Sequence, residues 1–367
     1  MSVIRVLAAG VDTIHASAPG ALMPSLRQEL GELRSHAGDN GMLIDLGANP
    51  EGFILQPHGW RGYPIWLRSA RIELMLGAVD PFPPVFLQWH SAFIHTHGLE
   101  AAVSSVEGWL DDAVMEVRGL LRVARVDLYC DFQGWVPIAR DLDHFTCRAV
   151  SRRLFEVHSQ AHMSGRHFSG FTFGKGDVVG RIYDKSLELG VRGQRWLEAV
   201  WEGRDQGQPV WRVEFQFRRR ALRRFGLETL EQALCSRQGL WEYGMGWISL
   251  RRPGNDSNRS RWHQDPVWIE LRRAYLASPS SPLVRQRVRA ASQERLVRGF
   301  IGYASALGAL STEDDLASVL RSAGSLATHH LRETGRDFKG LVDAKRDRLR
   351  AERMFRITAD RLSELAR

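Results

Sequence analysis

Three short stretches, RVDLYCDF (125–132), RIYDK (181–185) and WRVEFQFR (211–218), alternate between two chemically opposite sets of side chains. A period of two places successive side chains on opposite faces of a β-strand. One face of the first stretch then carries Arg125, Asp127, Tyr129 and Asp131, and the other Val126, Leu128, Cys130 and Phe132. The second puts Arg181, Tyr183 and Lys185 together. The third sets Arg212, Glu214, Gln216 and Arg218 against Trp211, Val213, Phe215 and Phe217. Each strand offers one apolar face to a core and one face of carboxylates, cations and phenols. The plain reading is a sheet whose polar side is solvated. The lack of serine, threonine or Lys–Glu filler on these faces favours a shared site, formed when the three strands pool their polar groups.

The remaining pattern predicts an α+β chain. Strand-like runs are VIRVLAAGVDTIHAS, GMLIDLG, EGFILQP, YPIWLRSARIELMLG and VFLQWHSAFIHTHG, with turns at ANPEG and VDPFPP. Helical spacing covers MPSLRQELGELRSHAG, LEAAVSSVEGWLDDAVMEVRGLL, DLDHFTCRAVSRRLFEVHS and a short stretch at 194–203. HFSGFTFGKG and VVGRIYDKSLEL form a hairpin around Gly174–Asp177, and PVWRVEFQFRRRALRRFG passes from strand to basic helix. From about residue 283 the chain is arginine-rich and nearly proline-free, with Thr312 and the acids 313–315 marking a helix start. The expected fold is a mostly antiparallel sheet with helices packed on one face, over 1–280, and an all-helical basic tail over 281–367. RPGNDSNRSRWHQDP (252–266) is the most loop-like stretch before the tail.

The 367 residues are 44% hydrophobic and 25% charged, as in a globular protein with room for one large domain or two ordinary ones. No apolar run approaches a membrane span, and MSVIRVLAAG lacks the features of a signal peptide. Cys130, Cys147 and Cys235 are too few and scattered for a disulfide framework or a zinc site, so a reducing cytoplasm is the expected location. A net charge of +8 favours a polyanionic partner, and nucleic acid over a membrane surface because no amphipathic lysine-rich terminal helix is present.

The pooled groups suit phosphodiester chemistry. Two or three carboxylates hold a divalent cation through oxygen, leaving positions for water and phosphate, and arginines offset charge on a transferring phosphoryl group. A tyrosine hydroxyl, with a pKa of about 10, needs such company to act as a nucleophile. The chain writes its positive charge as arginine and keeps only Lys175, Lys185, Lys339 and Lys345 as lysines. On the strand reading, Lys185 shares a face with Tyr183 and is a candidate to activate or orient it.

At these residues the chain resembles the replication initiation factor family, the trans-acting Rep proteins of rolling-circle plasmids and phages, together with related relaxases of integrative elements. RVDLYCDF looks like that family's aspartate-bearing strand, GKGDVVGRIYDKSLEL like its Gly-Lys turn and R-x-Y-x-K motif, and WRVEFQFRR like its R-x-E segment. The resemblance covers roughly residues 10–270. It implies a Rep/relaxase-like nicking domain in which Tyr183 attacks one strand of origin DNA, single-stranded or cruciform, and stays joined to the 5′ phosphate. The freed 3′ hydroxyl then primes rolling-circle replication. It also implies Mg or Mn held by Asp127 and Glu214, with Asp131 as a further ligand or a support. Arg181, Arg212, Lys185, Lys175 and Arg125 would bind phosphate. A host helicase and a homodimer are conceivable partners, and the tail is assigned to DNA binding or oligomerisation. The alternatives are a conjugative relaxase with the same chemistry, a DNA-binding regulator that has lost it, and an unrelated basic α+β or RNA-binding protein.

Other features carry weaker signals. His95 and His97 have the spacing of a two-histidine metal motif, with His90 nearby, but polar Thr96 and the following Gly98 favour structural histidines. Gly174–Gly176 reads as a hairpin turn, and Glu188 as a solvated acid. Trp262 and Trp268 are candidates to stack on unpaired bases.

Overall fold

In the computed structural model of the chain, residues 4–47, 52–77, 82–148, 159–164, 167–192, 195–275, 293–311 and 313–343 are described. The chain divides into two compact units, residues 1–286 and 287–367. The first unit opens with β1 (Arg5–Ala18), β2 (Gly20–Leu22), α1 (Pro24–Ser35), β3 (Met42–Ile44), β4 (Phe53–Leu55), β5 (Ile65–Arg68), β6 (Ile72–Leu76) and β7 (Val85–Trp89). Helices α2 (Ser91–His97) and α3 (Leu99–Ala113) follow, then β8 (Met115–Arg118), β9 (Arg122–Gln133), β10 (Phe145–Cys147), β11 (Ser159–Ser164), β12 (His167–Phe173) and β13 (Val178–Asp184). After α4 (Lys185–Arg192) and a 3-10 turn (Arg195–Val200) come β14 (Trp211–Arg218), α5 (Arg219–Arg224), α6 (Leu230–Cys235), α7 (Arg237–Trp247), β15 (Ile248–Leu250) and α8 (Pro266–Arg272).

Eleven strands form one sheet in the order β11-β12-β13-β14-β9-β1-β7-β6-β5-β4-β3, and each described pairing is antiparallel. The three alternating segments are therefore neighbours, β13-β14-β9. Their apolar faces build the core: Leu128, Cys130, Phe132, Val213, Phe215 and Phe217 are fully buried. Each such side chain contributes about 1.5–3 kcal/mol over its exposed state. Helix α7 closes this face through Trp241, whose ring meets Phe215 edge-on at 5.3 Å. The helix approaches so closely that a Cβ on Gly244 would sit 2.6 Å from the Phe215 ring.

The structure departs from the sequence reading at several points. VFLQWHSAFIHTHG is a strand only to Trp89; the chain then turns into α2, which buries Phe93 and Ile94. The helix over 99–121 stops at Ala113, and Met115–Arg118 pairs with β2. Phe145–Cys147, read as helical, pairs instead with Ile248–Leu250, and 149–158 lie outside the described residues. Trp268, a proposed base-stacking residue, is fully buried on α8 and donates its indole N–H to the Met245 carbonyl. Trp262 donates to the Asp256 carbonyl at 2.6 Å.

In the second unit, α9 (Gln293–Ser311) and α10 (Leu316–Glu333) pack against each other, and Ala304 and Val319 are buried. Asp315 caps α10 by accepting from the Ser318 N–H; Thr312 lies outside the described residues.

Candidate active site

Antiparallel register sets the polar face in rows, because directly opposed residues share a face. Tyr183 opposes Arg212, which opposes Asp131; Arg181 opposes Glu214, which opposes Tyr129; Gln216 opposes Asp127. From these rows Tyr183, Arg181, Glu214 and Asp127 line a cleft of about 1030 Å³, together with Asp12 of β1, Ser91 of α2 and Lys185 and Glu188 of α4.

Tyr183 donates its hydroxyl to Glu214 Oε2 at 3.0 Å, and Arg181 Nη1 donates to Glu214 Oε1 at 2.6 Å. Burial pushes the Tyr183 phenol well above its usual value; the Glu214 charge adds to this and Arg212 opposes it. The backbone of Tyr183 depends on its neighbour on β12. Gly170, directly opposite, has φ 150°, and a Cβ there would lie 2.8 Å from Tyr183 Cα and Cβ. Only glycine suits that position.

Asp127 is 1% exposed and ion-paired with Arg125. Burial pushes its carboxyl up to about 7, Glu214 and Asp12 adding to the effect and Arg125 opposing it. Among the described residues no three His, Cys, Asp or Glu side chains group in a way that could hold a metal ion. Asp127 and Glu214 both line the cleft, and a divalent cation held by that pair would take water and phosphate oxygen for its remaining positions. A pair of buried carboxylates whose charges disfavour each other fits such an ion, and magnesium is commonly bound by one or two carboxylates in this way.

Asp131 does not belong to that set. It is 0% exposed, and its two oxygens accept from Arg212 Nε at 2.6 Å, Arg212 Nη2 at 2.8 Å and Trp201 Nε1 at 2.8 Å. Arg212, expected to bind phosphate, is also 0% exposed; its Nη1 donates to Asp12 Oδ1 at 2.6 Å and its guanidinium lies 4.1 Å over the Tyr129 ring. It serves as a fixed internal cation beneath the site.

Lys185 corrects the strand reading differently. The strand ends at Asp184, whose carboxylate accepts from the Leu187 N–H, and Lys185 opens α4. Its Nζ lies 5.6 Å over the Tyr183 ring and 2.5 Å from Glu188 Oε2, so Glu188 is an ion-pair partner lining the cleft and not a solvated acid. Lys185 thus packs on the ring face of Tyr183. Lys175 is exposed in the β12–β13 turn, at the opposite end of β13 from Tyr183 and outside the cleft. Arg125 and Arg181 do line it.

The histidine pair separates on α2. His95 packs against Tyr129, with Nδ1 3.3 Å from the phenol oxygen, and its Nε2 lies 3.9 Å from Asp12 Oδ1. His97 is exposed, beside Phe93. His90 pairs with Glu73 at 3.7 Å.

Asp12 is the functional-face residue that the sequence reading missed. Ser91 Oγ donates to it at 2.9 Å alongside Arg212. Burial would raise its carboxyl, but Arg212, His95, Lys185 and Ser91 together hold it well below the usual carboxylate range. An aspartate between Val11 and Thr13 in a mostly apolar strand was the available signal.

No family model matches the chain. An uncharacterised protein, ORF430 of Pseudomonas phage Pf1, is 25% identical over 301 residues, covering 66% of this chain and 63% of that protein. The chain therefore spans under two thirds of the length of that relative. The solved structure of a rolling circle replication initiator protein from Geobacillus stearothermophilus is 15% identical, with a TM-score of 0.41 over 77% of this chain and 100% of that one.

Proposed function

We infer that this chain is a DNA strand transferase that nicks one strand through Tyr183, in the manner of a rolling-circle replication initiator. The observation that carries the reading is the Tyr183–Glu214 hydrogen bond, set beside Asp127 and two arginines in an open cleft. The motif resemblance at the same residues supports it.

In this reading Glu214 accepts the phenol proton as the Tyr183 oxygen attacks phosphorus. The new bond joins that oxygen to the 5′ phosphate, the P–O3′ bond breaks, and the released 3′ oxygen takes up a proton. Arg181 and Arg125 offset the charge on the phosphate oxygens. Lys185 orients the ring from its face. Asp127 and Glu214 would hold Mg or Mn, which supplies further neutralisation of the phosphate. A 3′ hydroxyl left free in this way is a primer, and the reverse transfer reseals the strand. The second unit is assigned to DNA binding or self-association, and a host helicase to a later step.

The reading is tested on end-labelled single strands from the replicon's own origin, with Mg or Mn present. Cleavage at one position, yielding a 3′ end that a polymerase extends, is expected. Specific binding without any cleavage would point to a regulator on the same fold.

A further inference from the structure

The sheet face that carries Tyr183 continues past the cleft. Arg125 opposes His15 on β1, His15 opposes Gln88 on β7, Gln88 opposes Glu73 on β6, and Glu73 opposes Arg68 on β5. That row crosses four strand spacings, about 20 Å. The row beside it runs Ser17, Phe86, Met75 and Trp66. Alternate residues Val85, Leu87, Leu74, Leu76, Ile65 and Leu67 point into the core, so both rows lie on the side of the cleft. Gln88 and His90 themselves line the cleft and join the two regions.

At the far end of these rows aromatic rings gather. The Trp60 ring centroid lies 6.4 Å from both Trp66 and Phe86, and none of the three is fully buried. Guanidinium groups cover two of them: Arg61 is 4.3 Å over Trp60 and Arg68 is 5.3 Å over Trp66. Both arginines are exposed. The acid in this patch, Glu73, is already engaged by Arg68, Trp66 and His90. Arg61 sits in the Trp60–Tyr63 turn at φ 48°, the one non-glycine residue with positive φ among those described. Such a conformation is disfavoured for a side-chain-bearing residue, and persists where the surroundings fix it. The same residue carries the guanidinium that lies over Trp60.

We propose that Trp60, Trp66 and Phe86, with Arg61 and Arg68, form a stacking platform for single-stranded nucleic acid that runs along the His15–Gln88 row into the Tyr183 cleft. The proposal rests on the nicking reading and names the surface that presents the strand. Unpaired bases expose the π faces that tryptophan and phenylalanine accept, while their phosphates meet Arg61, Arg68 and Arg125. A duplex hides those faces.

The test is fluorescence anisotropy of a labelled oligothymidylate against the full chain over a series of salt concentrations. Trp60→Ala with Trp66→Ala should weaken binding about tenfold or more at every salt. Trp66→Phe should retain most of the affinity. Arg61→Ala with Arg68→Ala should instead flatten the salt dependence, by about one or two units of slope. Thermal melting checks each variant for folding. Independently of any variant, photocross-linking of a 5-iododeoxyuridine oligonucleotide to the wild-type chain should mark Trp60, Trp66 or Phe86. Unchanged affinity in a folded tryptophan pair, cross-links confined elsewhere, or equal binding of a duplex would overturn the platform and leave the nicking reading standing. Failure of the wild-type chain to bind any single strand would defeat both.

Discussion

The Tyr183 hydroxyl meets Glu214 Oε2 at 3.0 Å across neighbouring strands, although the two residues are 31 positions apart in sequence. The contact joins a phenol to the group best placed to take its proton, and Arg181 fixes the other carboxylate oxygen. Glu214→Gln keeps the shape and an acceptor but removes the charge. DNA affinity measured without divalent cation should hold, while the rate of adduct formation falls about 100-fold or more, because the variant loses both the proton acceptor and a carboxylate that would hold Mg or Mn. Single-turnover kinetics with parallel binding measurements would check this.

Beneath that contact, Arg212 is buried between Asp131 and Asp12. Asp131→Ala leaves the guanidinium with one carboxylate and Trp201 without its acceptor. Loss of one partner from a buried pair costs about 3–5 kcal/mol, so the urea midpoint should drop sharply. A midpoint within experimental error of wild type would show that the network carries no stability.

Asp127 titrates near 3.8 when unperturbed and is pushed up to about 7 in the folded chain. Between about pH 4 and pH 7 the unfolded chain has released a proton that the folded chain still holds. Asp127 therefore makes stability fall as pH rises through that window, with a constant deficit above it. Asp127→Asn should lack this component: its urea midpoint, relative to wild type, should rise from pH 4 to pH 8. A divalent cation favours the charged form, so Mg at pH 8 should raise the melting temperature of the wild-type chain and leave Asp127→Asn unmoved.

Gly170→Ala places a methyl group against the Tyr183 backbone in a conformation glycine alone adopts readily. The variant should lose stability by about 1–3 kcal/mol and form adduct more slowly than that loss explains, because Tyr183 must shift. Equal kcat and urea midpoint in variant and wild type would contradict the close approach.

Much of the site was legible because strand alternation is local. Asp127, Tyr183 and Glu214 could be set on polar faces from the period alone, and pooling them required only that the strands be neighbours. What failed was what distant residues decide. The segment after Trp89 looks β-prone in isolation, yet the burial of Phe93 and Ile94 draws it into a helix. Phe145–Cys147 becomes a strand through a partner about 100 residues away, Ile248–Leu250. Arg212 and Asp131 share the face of the true cleft residues, and only contacts with Trp201 and Asp12, from elsewhere in the chain, bury them there. Asp12 itself draws its partners from positions 91 and 212, which no window on β1 contains.

The most direct test of the central claim is the covalent adduct. The full chain would be incubated with single-stranded DNA from its own replicon and Mg or Mn, digested with nuclease and protease, and read by mass spectrometry. The account predicts a nucleotide phosphate on the Tyr183 oxygen, lost in Tyr183→Phe while DNA binding persists. An adduct on another residue, such as Tyr129, or cleavage that survives Tyr183→Phe, would contradict it.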